Sequence, residues 1–105
     1  MEQTTKSLAQ LPTTFIFHED ATCGWLAVPY TALVALGIEW KITHSSYRQG
    51  DSAYLEMAVD AGTFIQAWSA SQNIENDDYA FFRTRCKEIY QHLSFIHELP
   101  HFYVD

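Results

Sequence analysis

The sequence predicts an α+β fold, a small antiparallel sheet of two hairpins covered by helices. Two observations carry this prediction. Apolar and polar residues alternate in stretches bounded by turn residues, which is typical of half-buried strands. Other apolar residues recur at helical steps, as at Ala61, Phe64, Ile65 and Trp68. The elements follow in the order ββ-α-ββ-α-α, and two hairpins can form one sheet with helices on one face.

The first half of the domain is predicted to hold a hairpin and a short helix. Residues 14–20 alternate as a strand, and residues 25–28 return beside them. Pro29 suits the first position of a helix, because its missing N–H costs nothing there. Gly37 is placed to end that helix in the left-handed conformation. The helix is a buried element of the core, since a bilayer span needs about 20 apolar residues.

The second hairpin is predicted from residues 38–47 and 52–59, which flank a polar turn. Ile38, Trp40 and Ile42 would share the buried face of its first strand. Trp40 is therefore expected at the edge of the core.

Two further helices complete the predicted order. Asp60 is placed to cap the first of them through its side-chain oxygen. Asp77 and Asp78 stand where the second begins, since acids favour the positive end of the helix dipole. That last helix would run over residues 79–96, where apolar residues recur at helical steps.

Length and composition fit one domain. Residues 1–12 are polar and are expected to form a flexible N-terminal tail, and residues 13–105 form a single α+β domain. Cys23 and Cys86 lack the spacing of zinc or thioredoxin sites, and the first residues lack the apolar core of a signal peptide. We expect a cytoplasmic protein with reduced thiols.

The charge balance narrows the choice of partners. The formal net charge is −7, from 13 acidic and 6 basic residues. This charge repels phosphate backbones and anionic lipids, so direct nucleic-acid binding and membrane binding are disfavoured. A protein partner with a basic surface is favoured, because opposite fields speed encounter.

The sequence contains no cofactor motif of the glycine-rich or metalloprotease type, and no cofactor is expected. An alternative hypothesis is a small thiol-dependent enzyme or ligand binder. It would use Cys23 as the nucleophile with His18 or His44 as the base. The other interpretation is that Cys23 fills space at a hairpin end.

The C-terminal histidines are one candidate for a metal site. His92, His97 and His101 are five and then four positions apart, whereas helical metal ligands stand three or four apart on one face. This spacing is typical of surface histidines around a helix end, and no metal is expected.

The stretch "SYRQGDSAY" places aromatic residues beside a charged turn. It is typical of an ordinary hairpin with cross-strand tyrosines, and it also fits a recognition loop. As partner-binding residues we select Tyr47, Arg48, Asp51 and Glu56 near this hairpin, with Asp77 and Asp78 at the start of the last helix.

Residues 101–105 are too apolar for a free chain end. They are expected to pack within the chain. The alternative is a structural homodimer, in which this tail completes the sheet of a neighbouring copy.

The middle of the chain resembles small uncharacterised proteins carried by bacterial phages and plasmids. The matching stretches are Gly-Trp-Leu-x-Val-Pro at residues 24–29, Leu-Gly-Ile at 36–38, Ser-Tyr at 46–47, Tyr-Leu-Glu at 54–56, and Asp60 with Phe64. The chain has Leu55-Glu56-Met57-Ala58 where those proteins repeat acids. The resemblance implies, by analogy, a non-enzymatic inhibitor of a host defence complex, of the anti-CRISPR or anti-restriction type.

Overall fold

The computed structural model describes residues 11–74 and 82–105, and these residues form an α+β fold on a five-stranded mixed sheet. The strands are β1 (Phe15–Glu19), β2 (Gly24–Pro29), β3 (Tyr47–Gln49), β4 (Ser52–Glu56) and β5 (Cys86–Tyr90). The α-helices of the described part are α1 (Tyr30–Leu36) and α2 (Asp60–Ser71), and 3-10 helices cover Glu39–Lys41 and Phe95–Glu98. The strand order is β3-β4-β2-β1-β5, and only β1 and β5 run parallel.

The first hairpin and the short helix are confirmed. β1 pairs with β2 in antiparallel register, and α1 begins directly after Pro29. Gly37 ends the helix at φ 72°, and its N–H donates to the Val34 carbonyl at 2.9 Å. A side chain at Gly37 would be strained in this left-handed conformation, which explains why glycine suits the position.

α2 packs its predicted apolar stripe on the sheet, and all four residues of that stripe are buried. Phe15 lies 5.6 Å from the ring centres of both Phe64 and Trp68, in edge-on contact. Leu11, which the sequence assigns to the tail, also belongs to this core, and the half-buried Pro12 is bonded to it. Leu11 is buried, and the Pro12 carbonyl accepts the indole N–H of Trp68 at 2.9 Å.

The role predicted for Asp60 is wrong. Val59 is the N-cap of α2, and no side-chain cap is made. The buried Asp60 carboxylate instead accepts the backbone N–H and hydroxyl of Thr43 at 3.0 and 2.8 Å, and the Ser46 hydroxyl at 2.6 Å. Ser46 also accepts the Glu56 N–H at 2.9 Å, so one polar cluster fastens the loop before β3 to α2 and β4.

The strand predicted over residues 38–47 is also wrong, since β3 begins only at its last residue. Glu39–Lys41 form a 3-10 turn with about three residues per turn, which separates the directions of Ile38, Trp40 and Ile42. The two isoleucines are buried, whereas Trp40 is 76% exposed. Trp40 is therefore a surface residue and not the predicted edge of the core.

The last predicted helix requires the largest correction. In the described part of residues 79–96, only Phe82 and Arg83 are α-helical, and the chain then forms β5 and the start of a 3-10 helix, so the sheet is not two hairpins and the order ββ-α-ββ-α-α does not hold. Phe15 donates its N–H to Arg85 at 3.0 Å, and Gln91 donates to Glu19 at 2.9 Å. Pairing with β1, far away in the sequence, overrides the local helical pattern.

The C-terminal segment covers the sheet face opposite the helices. Trp25 and Tyr54 of the sheet are buried there with Ile96 of the second 3-10 helix. Ser94 donates its N–H to the buried Asp20 carboxylate at 2.9 Å, which fixes where the segment crosses the sheet. Both faces of the sheet are thus partly covered, by helices on one side and by an irregular segment on the other.

No helix within residues 11–74 and 82–105 has the length and apolar character needed to cross a membrane.

Candidate binding surfaces

The acids predicted to bind a partner lie at opposite ends of the sheet. Asp51 is exposed in the turn between β3 and β4, where its carbonyl accepts the Tyr30 N–H at 2.6 Å. Glu56 is half-buried at the other end of β4, and its Oε1 accepts the Ala58 N–H at 2.9 Å. Asp77 and Asp78 lie outside the described residues.

Arg48 serves the interior of the protein. Its side chain is buried, with the guanidinium carbon 3.6 Å from the ring centre of Tyr30 and 4.4 Å from that of Tyr103. Its nitrogens donate to the Gly50 carbonyl at 2.8 Å, to the Tyr103 carbonyl at 2.9 Å and to the Asp105 carboxylate at 3.1 Å. The cation is stacked between two rings and bonded to the end of the chain.

The charge of Arg48 is stabilised by this setting. Burial alone would lower the pKa of the guanidinium. The hydrogen bond and the negative charge of Asp105, helped by Tyr103 and Tyr30, outweigh burial and raise the pKa above its ordinary value. Arg48 therefore stays charged and holds the C-terminal tail.

The tail in turn covers the outer edge of β3. The Arg48 N–H donates to the Pro100 carbonyl at 2.9 Å, and the Phe102 N–H donates to Ser46 at 2.8 Å. Tyr47, the remaining predicted contact residue, is half-buried and stacks on His101 with ring centres 4.8 Å apart. The apolar tail packs within its own chain.

A second polar cluster surrounds Asp20, whose carboxylate is buried. One oxygen accepts the N–H groups of Thr22 and Cys23 at 2.8 and 2.9 Å, and the other contacts His97 Nε2 at 2.8 Å. The hydrogen bond from the Ser94 N–H lowers the pKa of Asp20 most, and those from Thr22 and Cys23 add to it against the effect of burial. Asp20 is therefore charged at neutral pH and anchors the C-terminal segment.

The residues of the thiol hypothesis are not brought together. Cys23 is a half-buried free thiol, and in the described contacts it has no hydrogen bond to His18 or His44. The ring of His18 instead lies 5.7 Å from those of Tyr54 and Phe95, and burial lowers its pKa. A base needs to reach its nucleophile, so this hypothesis has no supporting contact and stays a prediction.

The other cysteine is also free and half-buried. Burial raises the pKa of the Cys86 thiol, and Arg83 offsets this only in part. A raised pKa disfavours the reactive thiolate.

The C-terminal histidines serve separate contacts. His97 contacts Asp20, and His101 Nδ1 lies 2.7 Å from the His44 carbonyl. No group of three potential ligands that could hold a metal ion occurs in the described part of the chain.

A groove of about 750 Å³ opens where β1 and β5 begin and β2 ends. Ile16 and Ala27 contribute to its apolar floor. Asp51 lies on one rim, and Arg85 and Lys87 lie on the opposite one. The groove thus places one predicted contact residue beside exposed apolar surface.

Sequence reasoning missed several exposed apolar side chains. Trp40 is the most exposed of them, and Tyr90, Leu93 and Phe95 are exposed around the end of β5 and the second 3-10 helix. For Trp40 a signal was present, since charged residues flank it on both sides. Aromatic residues in such positions are common in binding surfaces.

Comparisons with known proteins give no relative of this chain. It matches no protein-family model, no curated protein and no solved structure. Its function is therefore inferred from its own surface.

Proposed function

We propose that this protein is a non-enzymatic binding module that presents an acidic surface to a protein partner with a basic surface. The observation that supports this proposal is the excess of acidic over basic side chains that are free of ion pairs within the described part of the chain. Arg48 pairs with Asp105, and Arg83 pairs with Glu88, so much of the positive charge is matched within the chain. Among the described residues, the exposed acids outside these two pairs are Glu19, Asp51 and Glu98, the exposed bases are Lys41 and Lys87, and the formal net charge of the chain is −7.

Three acids lie at one end of the sheet, whereas Asp51 and Asp105 lie toward the other. Glu19 ends β1 and Glu56 ends β4, and the strand register brings these two ends to the same side. Glu98 follows His97, which is bonded to Asp20 just beyond β1. Neighbouring carboxylates of this kind attract a basic partner jointly.

The finer proposal concerns the partner. The resemblance to proteins of phages and plasmids supports an inhibitor of a host defence complex, of the anti-CRISPR or anti-restriction type. Its acids would occupy a basic nucleic-acid-binding surface and keep nucleic acid out. The proposed contact residues are Glu19 and Glu98 together with Asp51, Glu56, Asp77, Asp78 and Tyr47, and Arg48 contributes by holding the C-terminal tail.

Affinity capture tests the proposal. Immobilised protein is exposed to bacterial lysate at physiological salt, and retained proteins are identified by mass spectrometry. A double variant, Glu19→Lys with Glu98→Lys, serves as the charge-reversed control. We expect a nucleic-acid-binding protein to be retained, and retention to fall at least about tenfold in the control.

Competition with nucleic acid then tests the mode of action. Added protein should displace labelled nucleic acid from the purified partner, and the double variant should not. Retention of no lysate protein at physiological salt contradicts the proposal, as does equal retention by the double variant.

A further inference from the structure

Within residues 11–74 and 82–105, no strand pairs with the outer edge of β5. β5 is the last strand of the sheet, and the bonds of Arg85 and Gln91 to β1 set its alternation. In a parallel pair, successive residues turn their backbone groups alternately toward the partner strand and away from it. The backbone N–H and C=O groups of Lys87 and Ile89 therefore face β1. The residues whose backbone N–H and C=O groups face outward, with no partner strand in the described part of the chain, are Cys86, Glu88 and Tyr90.

The opposite edge of the sheet differs. There the C-terminal tail bonds to β3, through Pro100 to Arg48 and through Phe102 to Ser46. The fold thus covers one edge with its own chain, whereas the strand at the other edge is solvent-accessible, with Tyr90 64% exposed. An open strand edge is a template for an added strand.

A second copy of this chain fits that edge poorly. Antiparallel pairing of two β5 strands that uses all the outward-facing groups places Glu88 directly opposite Glu88 of the other copy. Like charges in directly opposed positions are destabilising. The net charge of −7 on each copy adds to the repulsion.

A basic strand fits better. Arg83 binds Oε2 of Glu88, and the structure describes no partner for Oε1. On the other face, Ile89 is in register with His18, whose ring contacts the exposed Phe95. An added strand would therefore place one set of side chains near the Glu88 carboxylate and the alternate set near Ile89 and the aliphatic stem of the exposed Lys87.

We infer that the β5 edge receives an extended segment of a protein partner, in which basic and apolar residues alternate. The segment forms a sixth strand, bonded to the outward-facing groups of Cys86, Glu88 and Tyr90. This inference rests on the proposed function and names the contact through which an acidic binding module would hold its partner. Backbone bonds supply affinity, and Glu88 selects for positive charge.

The test uses synthetic peptides of about seven residues, the length of an ordinary strand. One alternates lysine with valine, a second alternates glutamate with valine, and a third is the lysine peptide with backbone N-methylation along one edge. Nuclear magnetic resonance of the isotope-labelled full chain reports binding. We expect slowed amide exchange at Cys86, Glu88 and Tyr90 with the lysine peptide, and at least about tenfold weaker binding of both others.

Two variants separate backbone from charge. Glu88→Pro removes an outward N–H without touching the bonds to β1, as prolines at sheet edges do. Glu88→Ala keeps that N–H and removes only the carboxylate. We expect the proline variant to lose binding and the alanine variant to keep part of it. If Glu88→Pro does not fold, Tyr90→Pro takes its place.

The outcomes are distinct. Equal binding of the N-methylated peptide, or unchanged binding by the folded proline variant, overturns the inference, as does a dimer in light scattering with these amides protected in the absence of peptide. Retention of lysate proteins is compared in the Glu19→Lys, Glu98→Lys variant and in Glu88→Pro. If the first variant loses retention and the second keeps it, this inference is overturned and the proposed function stands. Pairing of the lysine peptide with β5, in a protein that retains no lysate partner, supports the edge site and contradicts the proposed function.

Discussion

At the scale of single residues, Arg48 joins three parts of the protein that are distant in sequence. It contacts α1 through Tyr30, the β3–β4 turn through Gly50, and the tail through Tyr103 and Asp105. No local sequence pattern predicts that Arg48 joins these parts, because an arginine in a charged turn is usually exposed. Its burial follows from the tail, which brings both a ring and acceptors to it.

Removal of this side chain should be costly. Arg48→Ala abolishes charge-assisted hydrogen bonds and two ring contacts, so we expect a loss of about 2–3 kcal/mol in the free energy of unfolding. Urea denaturation measures it. Lys41→Ala removes an exposed cation and should change stability by less than about 0.5 kcal/mol. Similar losses in the two variants would contradict the interior role of Arg48.

The Asp20 carboxylate should make the free energy of unfolding depend on pH in the acid range. Its pKa lies well below the ordinary value of 3.8, first because of the Ser94 N–H. A depressed pKa means that the stabilisation is fully present above about pH 5 and is lost as the pH falls through and below about 4. We expect Asp20→Asn to be less stable than the wild type at pH 7 and to lose less stability on acidification.

Urea midpoints between pH 7 and pH 3 measure this difference. The curves of Asp20→Asn and the wild type should converge toward the acid end. Glu19→Gln, which removes a neighbouring exposed carboxylate, should keep the acid dependence of the wild type. Parallel curves for Asp20→Asn and the wild type would show that Asp20 is not the group responsible.

At the scale of elements, the sequence is most informative where structure is decided locally. Pro29 and Gly37, which flank α1, act through their own backbone angles, and the first hairpin joins strands that are neighbours in sequence. Both α1 and this hairpin could therefore be predicted. β5 could not, because it pairs with a strand about seventy positions away and its apolar residues also fit a helix. The same limit applies to the candidate surfaces, since the β5 edge exists only once that pairing is known.

The 3-10 turn around Trp40 can be tested through fluorescence. Trp40 is largely exposed, whereas Trp25 and Trp68 are each 1% exposed. We expect acrylamide to quench mainly the emission of Trp40, and Trp40→Phe to remove the readily quenched fraction. The variant should unfold within about 0.5 kcal/mol of the wild type, as surface substitutions do.

Trp25→Phe is the matched control, because it removes a buried ring and should leave the quenched fraction in place. Strong quenching that survives in Trp40→Phe would favour the buried strand face that the alternating pattern predicts.

The assignment of β5 as a strand has its own signature in amide exchange. Lys87 and Ile89 direct their N–H groups to β1, and Cys86, Glu88 and Tyr90 direct theirs outward. We expect slow exchange at the first two and fast exchange at the other three in the unliganded protein. A helix would protect all five, so uniform protection measured by nuclear magnetic resonance would contradict the strand.

At the scale of the whole molecule, the C-terminal segment determines how the sheet is presented. It buries one sheet face through Ile96, closes the β3 edge through Phe102, and ends on Arg48. In the part of the chain that the structure describes, the helices and this segment leave the β5 edge and the groove beside it uncovered. The division between covered and open surface therefore depends on the last few residues folding back on their own chain.

This arrangement predicts a concentration-independent stability. Deletion of residues 101–105 removes the buried Phe102 and the two acceptors that the tail gives Arg48, so we expect a loss of about 3–5 kcal/mol in the free energy of unfolding. Val104→Ala, a smaller change in the same tail, should cost about 1 kcal/mol.

In the wild type, the unfolding temperature should not change with protein concentration, because the tail packs on its own chain. A tail exchanged between two copies would make that temperature rise with concentration, as linkage requires for any folded dimer. Thermal unfolding across about a hundredfold range of concentration, with light scattering on the same samples, distinguishes the two arrangements.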